Sequence, residues 1–160
     1  MADTAKHPDC GNKAPDFDLP AAGMENVKLS ALAGKPVVLF FYPKDDTSGC
    51  TAEAIDFTAA LPDFEKLGVQ VIGMSPDPVK KHHKFREKHG LETVLVSDEE
   101  KQALSAYGVW VEKSMYGRKY MGVERSTFLI GADGRILKAW RKVKVPGHVG
   151  EVLAAAKELI

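Results

Sequence analysis

An unbroken apolar run from Pro36 to Tyr42 sets the strongest limit on how this chain folds. Its residues are mostly β-branched, aliphatic or aromatic, without the polar alternation of a strand that has one face in water. Such a run is typical of a strand buried on both faces, as in a parallel sheet. The sequence therefore predicts a central strand here, in a sheet that is covered on both sides.

The polar segment that follows, Pro43 to Cys50, leads into a helical segment that opens at Thr51. Cys50 thus lies at the carboxyl end of a central strand, where open α/β folds bind ligands. Unpaired N–H groups and the helix dipole favour a thiolate there over a thiol. Cysteines in such positions titrate at ~3.5–7.5 instead of ~8.5, and only the thiolate is a nucleophile. Cys50 is therefore the candidate nucleophile, and the alternative is a buried cysteine that acts as a small hydrophobe.

Length and composition narrow the class of protein. A chain of 160 residues with 44% hydrophobic and 28% charged residues fits one globular domain over residues 1–160, with an irregular terminus at 1–12. Lys plus Arg equals Asp plus Glu at 22 each, so no net charge favours nucleic acid or a membrane surface as a partner. No signal-peptide pattern or membrane-spanning run is found, which predicts a cytoplasmic protein. The two cysteines, Cys10 and Cys50, form no disulfide framework, and no metal site is predicted.

The remaining patterns predict a thioredoxin-like α/β fold, with a mixed central sheet, helices on both faces and an N-terminal β-hairpin. The predicted strands beyond 36–42 are 16–19 with 26–29 as the hairpin, 69–74, 94–97, and 126–130 with 135–140 as a second hairpin. The predicted helices are 51–60, ended by Pro62 and restarted to Leu67, then 78–89, 99–107 and a closing helix from Gly147 with Leu159 and Ile160 on its apolar side. Residues 109–122 fit either strand or loop. In the helix at 78–89, Val79, Phe85 and either His82 or His83 are expected to face inward. The two histidines are adjacent and form no metal pair, so a solvated helix face is favoured over a metal site.

The spacing Pro-x-x-x-Thr-x-x-Cys, formed here by Pro43, Thr47 and Cys50, resembles the active-site signature of the peroxiredoxins. The resemblance is closest to their PrxQ branch, the bacterioferritin comigratory proteins. It covers most of the chain in one order, through residues 13–17, 41–53, 113–122 and 125–130. It implies a thiol-dependent peroxidase for hydrogen peroxide and organic hydroperoxides, without a cofactor, in which Cys50 becomes a sulfenic acid.

The resemblance also implies a role for each neighbouring residue. Thr47 orients the peroxide, Pro43 shields the sulfur from water, and Arg125 supplies a permanent cation. Glu53, one helical turn after Cys50, holds the arginine in place. The alternative is that Glu53 has no catalytic role, because acidic residues are favoured in the first turn of any helix. Further candidates are Gly49 and Tyr42; the tyrosine either lines the pocket or packs in the core.

Two departures from the family pattern concern the resolving cysteine, which many PrxQ proteins carry five residues after the reacting one. Ile55 stands there in this chain, and residues 84–86 of the following helix contain no cysteine either. Cys10 is the one remaining thiol, so a two-cysteine peroxidase that uses Cys10 stays an alternative to an incidental terminal thiol. The favoured interpretation is a one-cysteine enzyme in which Ile55, if buried, keeps the helix folded.

The electron donor is expected to be an external thiol: thioredoxin, glutaredoxin or glutathione. The resemblance favours a monomer, with a dimer as the alternative. A thioredoxin-fold binding or holdase protein without turnover is a second functional class, which the missing resolving cysteine favours slightly. A disulfide oxidoreductase is a weaker third, because it requires a second sulfur in the active-site turn.

Overall fold

A computed structural model describes residues 8–160. Within this range the order of elements is β1 (Asp18–Ala22), β2 (Asn26–Lys28), a short 3-10 helix (Leu29–Leu32), β3 (Val37–Phe41), α1 (Ser48–Lys66), β4 (Gln70–Ser75), α2 (Val79–His89), β5 (Val94–Ser97), α3 (Gln102–Ala106), β6 (Trp110–Met115), β7 (Arg118–Val123), β8 (Ser126–Ile130), β9 (Ile136–Trp140) and α4 (His148–Leu159). None of these helices is long and apolar enough to cross a membrane.

Seven of the strands form one mixed sheet in the order β2-β1-β5-β4-β3-β8-β9. The neighbours β3, β4 and β5 are parallel to one another, while β8 pairs antiparallel with β3, and β1 antiparallel with β5. The predicted central strand is confirmed, because all five residues of β3 are buried. Both predicted hairpins are also confirmed, as β1 with β2 and β8 with β9.

Alternate residues of β3 enter two hydrophobic cores, one on each face of the sheet. Leu39 and Phe41 lie on one face with Tyr107 beside α3. Phe40 lies on the other face against Phe57 of α1, with ring centroids 4.4 Å apart. Burying one such side chain contributes roughly 1.5–3 kcal/mol to the free energy of unfolding. Helices therefore cover both faces, and the predicted thioredoxin-like α/β architecture is confirmed.

The prediction that Pro62 ends the first helix is wrong. Helix α1 runs without interruption from Ser48 to Lys66 with Pro62 inside it. The proline has no N–H to donate to the preceding turn, but Phe57 and Phe64 on either side of it are fully buried. Their packing holds the two halves of the helix on the sheet, so tertiary contacts outweigh the local cost of the proline.

Two other helices differ from their predicted bounds. Helix α3 begins at Gln102 instead of residue 99, because Lys101 before it is left-handed, with a φ of 59°. The Asp98 carboxylate accepts the backbone N–H groups of Gln102 and Leu104 in the first turn at 3.1 and 2.8 Å. In α4, Leu159 and Ile160 are 45% and 46% exposed, contrary to the prediction, because the buried face of the helix ends at Ala156.

Residues 109–122, which fitted strand or loop, mostly form a separate two-stranded hairpin of β6 and β7. Its turn is Tyr116-Gly117, and both residues have positive φ, 53° and 78°. Two consecutive positive φ angles are typical of the tight turns that match strand twist. Most of the hairpin is exposed, which explains why its sequence shows no clear apolar alternation.

Candidate active site

Cys50 lies in the first turn of α1, buried at the carboxyl end of β3. The helix begins at Ser48 after Thr47, whose side chain makes no capping hydrogen bond. The first intrahelical acceptor is the Thr47 carbonyl, which binds the N–H of Thr51 at 2.8 Å. The N–H groups of the first turn therefore have no acceptor within the helix and are available to a negative charge near the Cys50 sulfur.

Arg125 reaches the sulfur from the strand next to β3. Because β8 runs antiparallel to β3 and Ser126 pairs with Phe41, the preceding Arg125 lies beside the carboxyl end of β3. Its Nη2 donates to Cys50 Sγ at 3.3 Å, and its Nη1 donates to Glu53 Oε1 at 2.6 Å. The structure thus brings together Cys50, Arg125 and Glu53, as the sequence predicted.

The Glu53 carboxyl group is fully buried, and its second oxygen, Oε2, has no hydrogen-bond partner. Burial raises the pKa of Glu53 from 4.5 to about 7, against the opposing effect of the Arg125 charge. A neutral Glu53 leaves more of the arginine's positive charge uncompensated for the sulfur, whereas an ionised Glu53 shares it.

Gly49 provides the space that Arg125 occupies. A Cβ atom at this position would lie 3.1 Å from Arg125 Nη2, closer than an ordinary van der Waals contact. The glycine is therefore explained by the close approach of the guanidinium to the helix start.

Thr47 and Pro43 lie at the two ends of the loop between β3 and α1. Thr47 is exposed, and its hydroxyl donates to the Lys44 carbonyl at 2.9 Å. Pro43 is half-buried. Both residues lie in the loop that leads into the Cys50 turn, and the roles expected for them stay predictions.

Tyr42 is a core residue: it is 1% exposed, and its hydroxyl donates to Asp45 Oδ1 at 2.6 Å. Burial, followed by the nearby Asp45 charge, raises the pKa of Tyr42. Of the two interpretations left open by the sequence, the geometry supports packing in the core.

Of the two adjacent histidines, His82 is the one that faces inward, so the solvated helix face is wrong for this residue. His82 is fully buried and lies with Nδ1 2.6 Å from Asp45 Oδ2. Neither His82 nor Asp45 was predicted as a site residue. The helical spacing of Val79, His82 and Phe85 indicated an inward-facing histidine, but it did not indicate a contact with Asp45.

Lys113 is a second residue that the sequence did not single out. It lines a cavity of about 350 Å³ together with Arg125, Lys142 and Glu124. Burial and the charge of Arg125 lower the pKa of Lys113, while Glu124 and Cys50 oppose this effect. The cavity therefore brings cationic and anionic side chains next to Arg125, with Glu112, Val111 and Val143 completing its lining.

Cys10 lies at the other end of the sheet. Its sulfur contacts the Leu137 carbonyl oxygen at 3.5 Å on β9. Neighbouring Ile136 pairs with Ile130, which pairs with Val37 at the start of β3. Cys10 is therefore separated from Cys50 by about 13 Å along β3, from Val37 to Phe41, and by about 10 Å across the two strand spacings from β9 to β3. A disulfide needs Cα atoms within about 7 Å. Both cysteines are free thiols.

The comparisons with known proteins agree with this geometry. A sequence profile of the AhpC/TSA family matches residues 10–139. Peroxiredoxin Bcp of Bacillus subtilis is 50% identical over 149 residues, which are 93% of this chain and 95% of that protein. The chain belongs to the peroxiredoxin family. This peroxiredoxin is accordingly a thiol-dependent peroxidase.

Two solved structures extend the similarity to the fold. Xanthomonas campestris peroxiredoxin Q superposes with a TM-score of 0.86 at 47% identity, covering 89% of this chain and 90% of that one. The bacterioferritin comigratory protein of the same organism gives a TM-score of 0.85 at 46% identity, also over 89% and 90%. This peroxiredoxin therefore shares the PrxQ-type fold of these relatives.

Proposed function

We propose that this peroxiredoxin reduces hydrogen peroxide and organic hydroperoxides through a sulfenic acid on Cys50, as a one-cysteine enzyme. The observation that carries the proposal is the Arg125 guanidinium, 3.3 Å from the Cys50 sulfur at the start of α1. A permanent cation and free helix N–H groups on one sulfur are the surroundings that stabilise a thiolate. A structure of the X. campestris relative is described with respect to alkyl peroxide reduction, which supports organic hydroperoxides as substrates.

In the first step the Cys50 thiolate attacks one peroxide oxygen, an S–O bond forms and the O–O bond breaks. The electron pair of that bond leaves with the second oxygen as alkoxide or hydroxide, which then takes up a proton. Negative charge therefore moves from sulfur to the departing oxygen, and fixed donors stabilise such charge without reorganising. Arg125 and the helix N–H groups serve as these donors, Thr47 orients the peroxide and Pro43 limits access of water.

In the second step an external thiol attacks the sulfenic sulfur, forming a mixed disulfide and releasing water. A second thiol then releases the Cys50 thiol and leaves as a disulfide with the first. Thioredoxin, glutaredoxin and glutathione are the proposed donors. The position of Cys10 across the sheet supports this one-cysteine cycle over one in which Cys10 resolves the sulfenic acid. The holdase alternative is not favoured by relatives named as peroxiredoxins.

We also propose that the protein acts in the cytoplasm as a monomer. Two free thiols, one of them exposed, are compatible with a reducing compartment, where protein disulfides rarely persist. The monomer follows from the resemblance to PrxQ proteins.

Replacing Cys50 by serine tests the proposed nucleophile. Cys50→Ser is expected to abolish hydrogen peroxide consumption with every thiol donor, because the variant lacks the sulfur that forms the sulfenic acid. The change in volume is small, so the circular dichroism spectrum and unfolding midpoint should stay close to wild type. Turnover near the wild-type rate would contradict the proposed mechanism.

A further inference from the structure

The loop between β3 and α1 carries Pro43 and Thr47 and has one buried side chain between them, that of Asp45. Each polar part of Asp45 is bound to a different element. Its backbone N–H donates to Asp77 Oδ2 at 2.8 Å after β4, and its Oδ1 accepts from the Tyr42 hydroxyl at the end of β3. Its Oδ2 lies 2.6 Å from His82 Nδ1 on α2. Asp45 therefore connects the loop to three surrounding elements.

His82 is itself held from both sides of its ring. Nε2 lies 2.9 Å from the backbone carbonyl oxygen of Val96 on β5, which can only accept, so Nε2 carries a proton. Nδ1 faces the Asp45 carboxylate, and the side chains of both residues are fully buried. The imidazole thus links the active-site loop to the central sheet through two short hydrogen bonds.

The neighbouring anchor of the same loop is weaker. Asp46 has a positive φ of 64° and forms ion pairs with Lys88 and His89 near the end of α2. Asp46 is 40% exposed and Lys88 is 62% exposed, and ion pairs at such positions contribute little. A buried pair differs, because removing one partner leaves the other unsatisfied away from water. The buried His82–Asp45 pair is therefore the main restraint on the loop.

We infer that His82 and Asp45 are positioning residues for the peroxide step: together they hold Thr47 and Pro43 where a peroxide oxygen meets the Cys50 sulfur. This inference rests on the site proposed above, in which Thr47 orients the peroxide. Neither side chain touches the substrate. Their effect passes through the loop, whose last residue, Thr47, also accepts the first hydrogen bond of α1.

Two substitutions at the histidine separate its two hydrogen bonds. The amide nitrogen of asparagine can occupy the place of Nδ1, and that of glutamine the place of Nε2. His82→Asn therefore keeps a hydrogen-bond partner for Asp45, whereas His82→Gln keeps a donor to Val96 and loses the partner of the loop. The quantity to measure is the ratio of two rate constants at Cys50, one for oxidation by hydrogen peroxide and one for alkylation by iodoacetamide. Alkylation reports the thiolate, while only the peroxide reaction needs Thr47.

We expect His82→Gln to lower this ratio roughly 10- to 100-fold, because small misplacements of orienting groups have effects of this size. His82→Asn should recover most of the ratio. Tyr42→Phe removes one hydroxyl from the same carboxylate, is expected to fold, and should lower the ratio about threefold. Val27→Ala in β2 is the control, since it removes buried volume from the core on the other face of the sheet. An equal ratio in wild type, Tyr42→Phe and both His82 variants would overturn the inference and leave the network a purely structural role.

Thr47→Val is measured in parallel, so that failure of this inference is distinguished from failure of the proposed site. A low ratio in Thr47→Val with normal ratios in the His82 variants would overturn the inference alone. A normal ratio in Thr47→Val would overturn the role of Thr47, and with it the positioning role of His82.

Discussion

At Glu53, two opposing effects act on one carboxyl group. Burial favours the neutral acid, and Arg125 at 2.6 Å favours the carboxylate. Burial prevails, so the pKa of Glu53 rises from 4.5 to about 7. The unpartnered Oε2 agrees with a group that carries a proton for part of the time. One residue thus adjusts how much positive charge Arg125 presents to Cys50.

The raised pKa of Glu53 predicts how the free energy of unfolding depends on pH. Because its pKa is higher in the folded state, the unfolded chain loses the proton first as the pH rises, and the free energy of unfolding falls between pH 4.5 and about 7. Glu53→Gln does not titrate, so this loss disappears. The free energy of unfolding of the variant, relative to that of the wild type, should therefore rise by roughly 2–3 kcal/mol between pH 4.5 and pH 8. Urea unfolding of both proteins across this range measures the difference, and a constant difference would contradict the raised pKa.

On the scale of elements, α1 combines a buried face with the candidate nucleophile Cys50. Ala54, Phe57 and Phe64 are fully buried and hold the helix against the sheet. Ile55 is 44% exposed, so the expectation that it keeps the helix folded through its own burial is wrong. The first turns are held instead by buried Ala54 and the Arg125–Glu53 ion pair, and the rest of the helix by buried Phe57 and Phe64.

A pair of substitutions on α1 tests this assignment. Ile55→Ala should change the free energy of unfolding by less than about 1 kcal/mol, because a half-exposed side chain loses little on truncation. Phe57→Ala should cost about 3–5 kcal/mol through the cavity it creates. Chemical denaturation of both variants provides the comparison, and a cost at Ile55 similar to that at Phe57 would restore the original expectation.

Over the whole molecule, the sheet separates the two cysteines. Cys10 contacts β9 level with the start of β3, while Cys50 lies beyond the end of β3. Their separation exceeds the reach of a disulfide, so a Cys10–Cys50 bridge would require residues 9–13 to leave β9 or α1 to unwind. Gly11, Lys13 and Ala14 all pair with the β9 region, which opposes the first movement.

Cys10→Ser is therefore expected to retain peroxidase activity within about twofold of wild type with a small thiol as donor, since the serine leaves Cys50 and its surroundings unchanged. Intact-mass measurement of the wild type after one equivalent of peroxide should show addition of one oxygen and no loss of two hydrogens. Rapid formation of an internal disulfide, together with loss of turnover in Cys10→Ser, would instead identify Cys10 as the resolving residue.

Local patterns in the sequence were sufficient for the central strand, the two hairpins and the position of Cys50 at a helix start. An apolar run, a turn and a helix start each depend on a few neighbouring residues, so the local sequence is enough to predict them. The family signature added Thr47, Pro43 and Arg125 as candidates. Pro62 shows the limit of this reasoning, because local propensity ends a helix that long-range packing continues.

Only the tertiary structure decided which residues that are distant in the chain contact one another. Antiparallel pairing of β8 with β3 places Arg125 on a sulfur 75 residues away, and α2 brings His82 to Asp45 across 37 residues. The exposure of Ile55 and the distance of Cys10 from Cys50 likewise depend on which faces meet. The sequence by itself determined the central strand, the two hairpins and the place of the candidate nucleophile Cys50 at a helix start, because these follow from local propensity and hydrophobic pattern. The surroundings of that cysteine were decided by packing, because burial and ion pairing exist only once the elements are assembled.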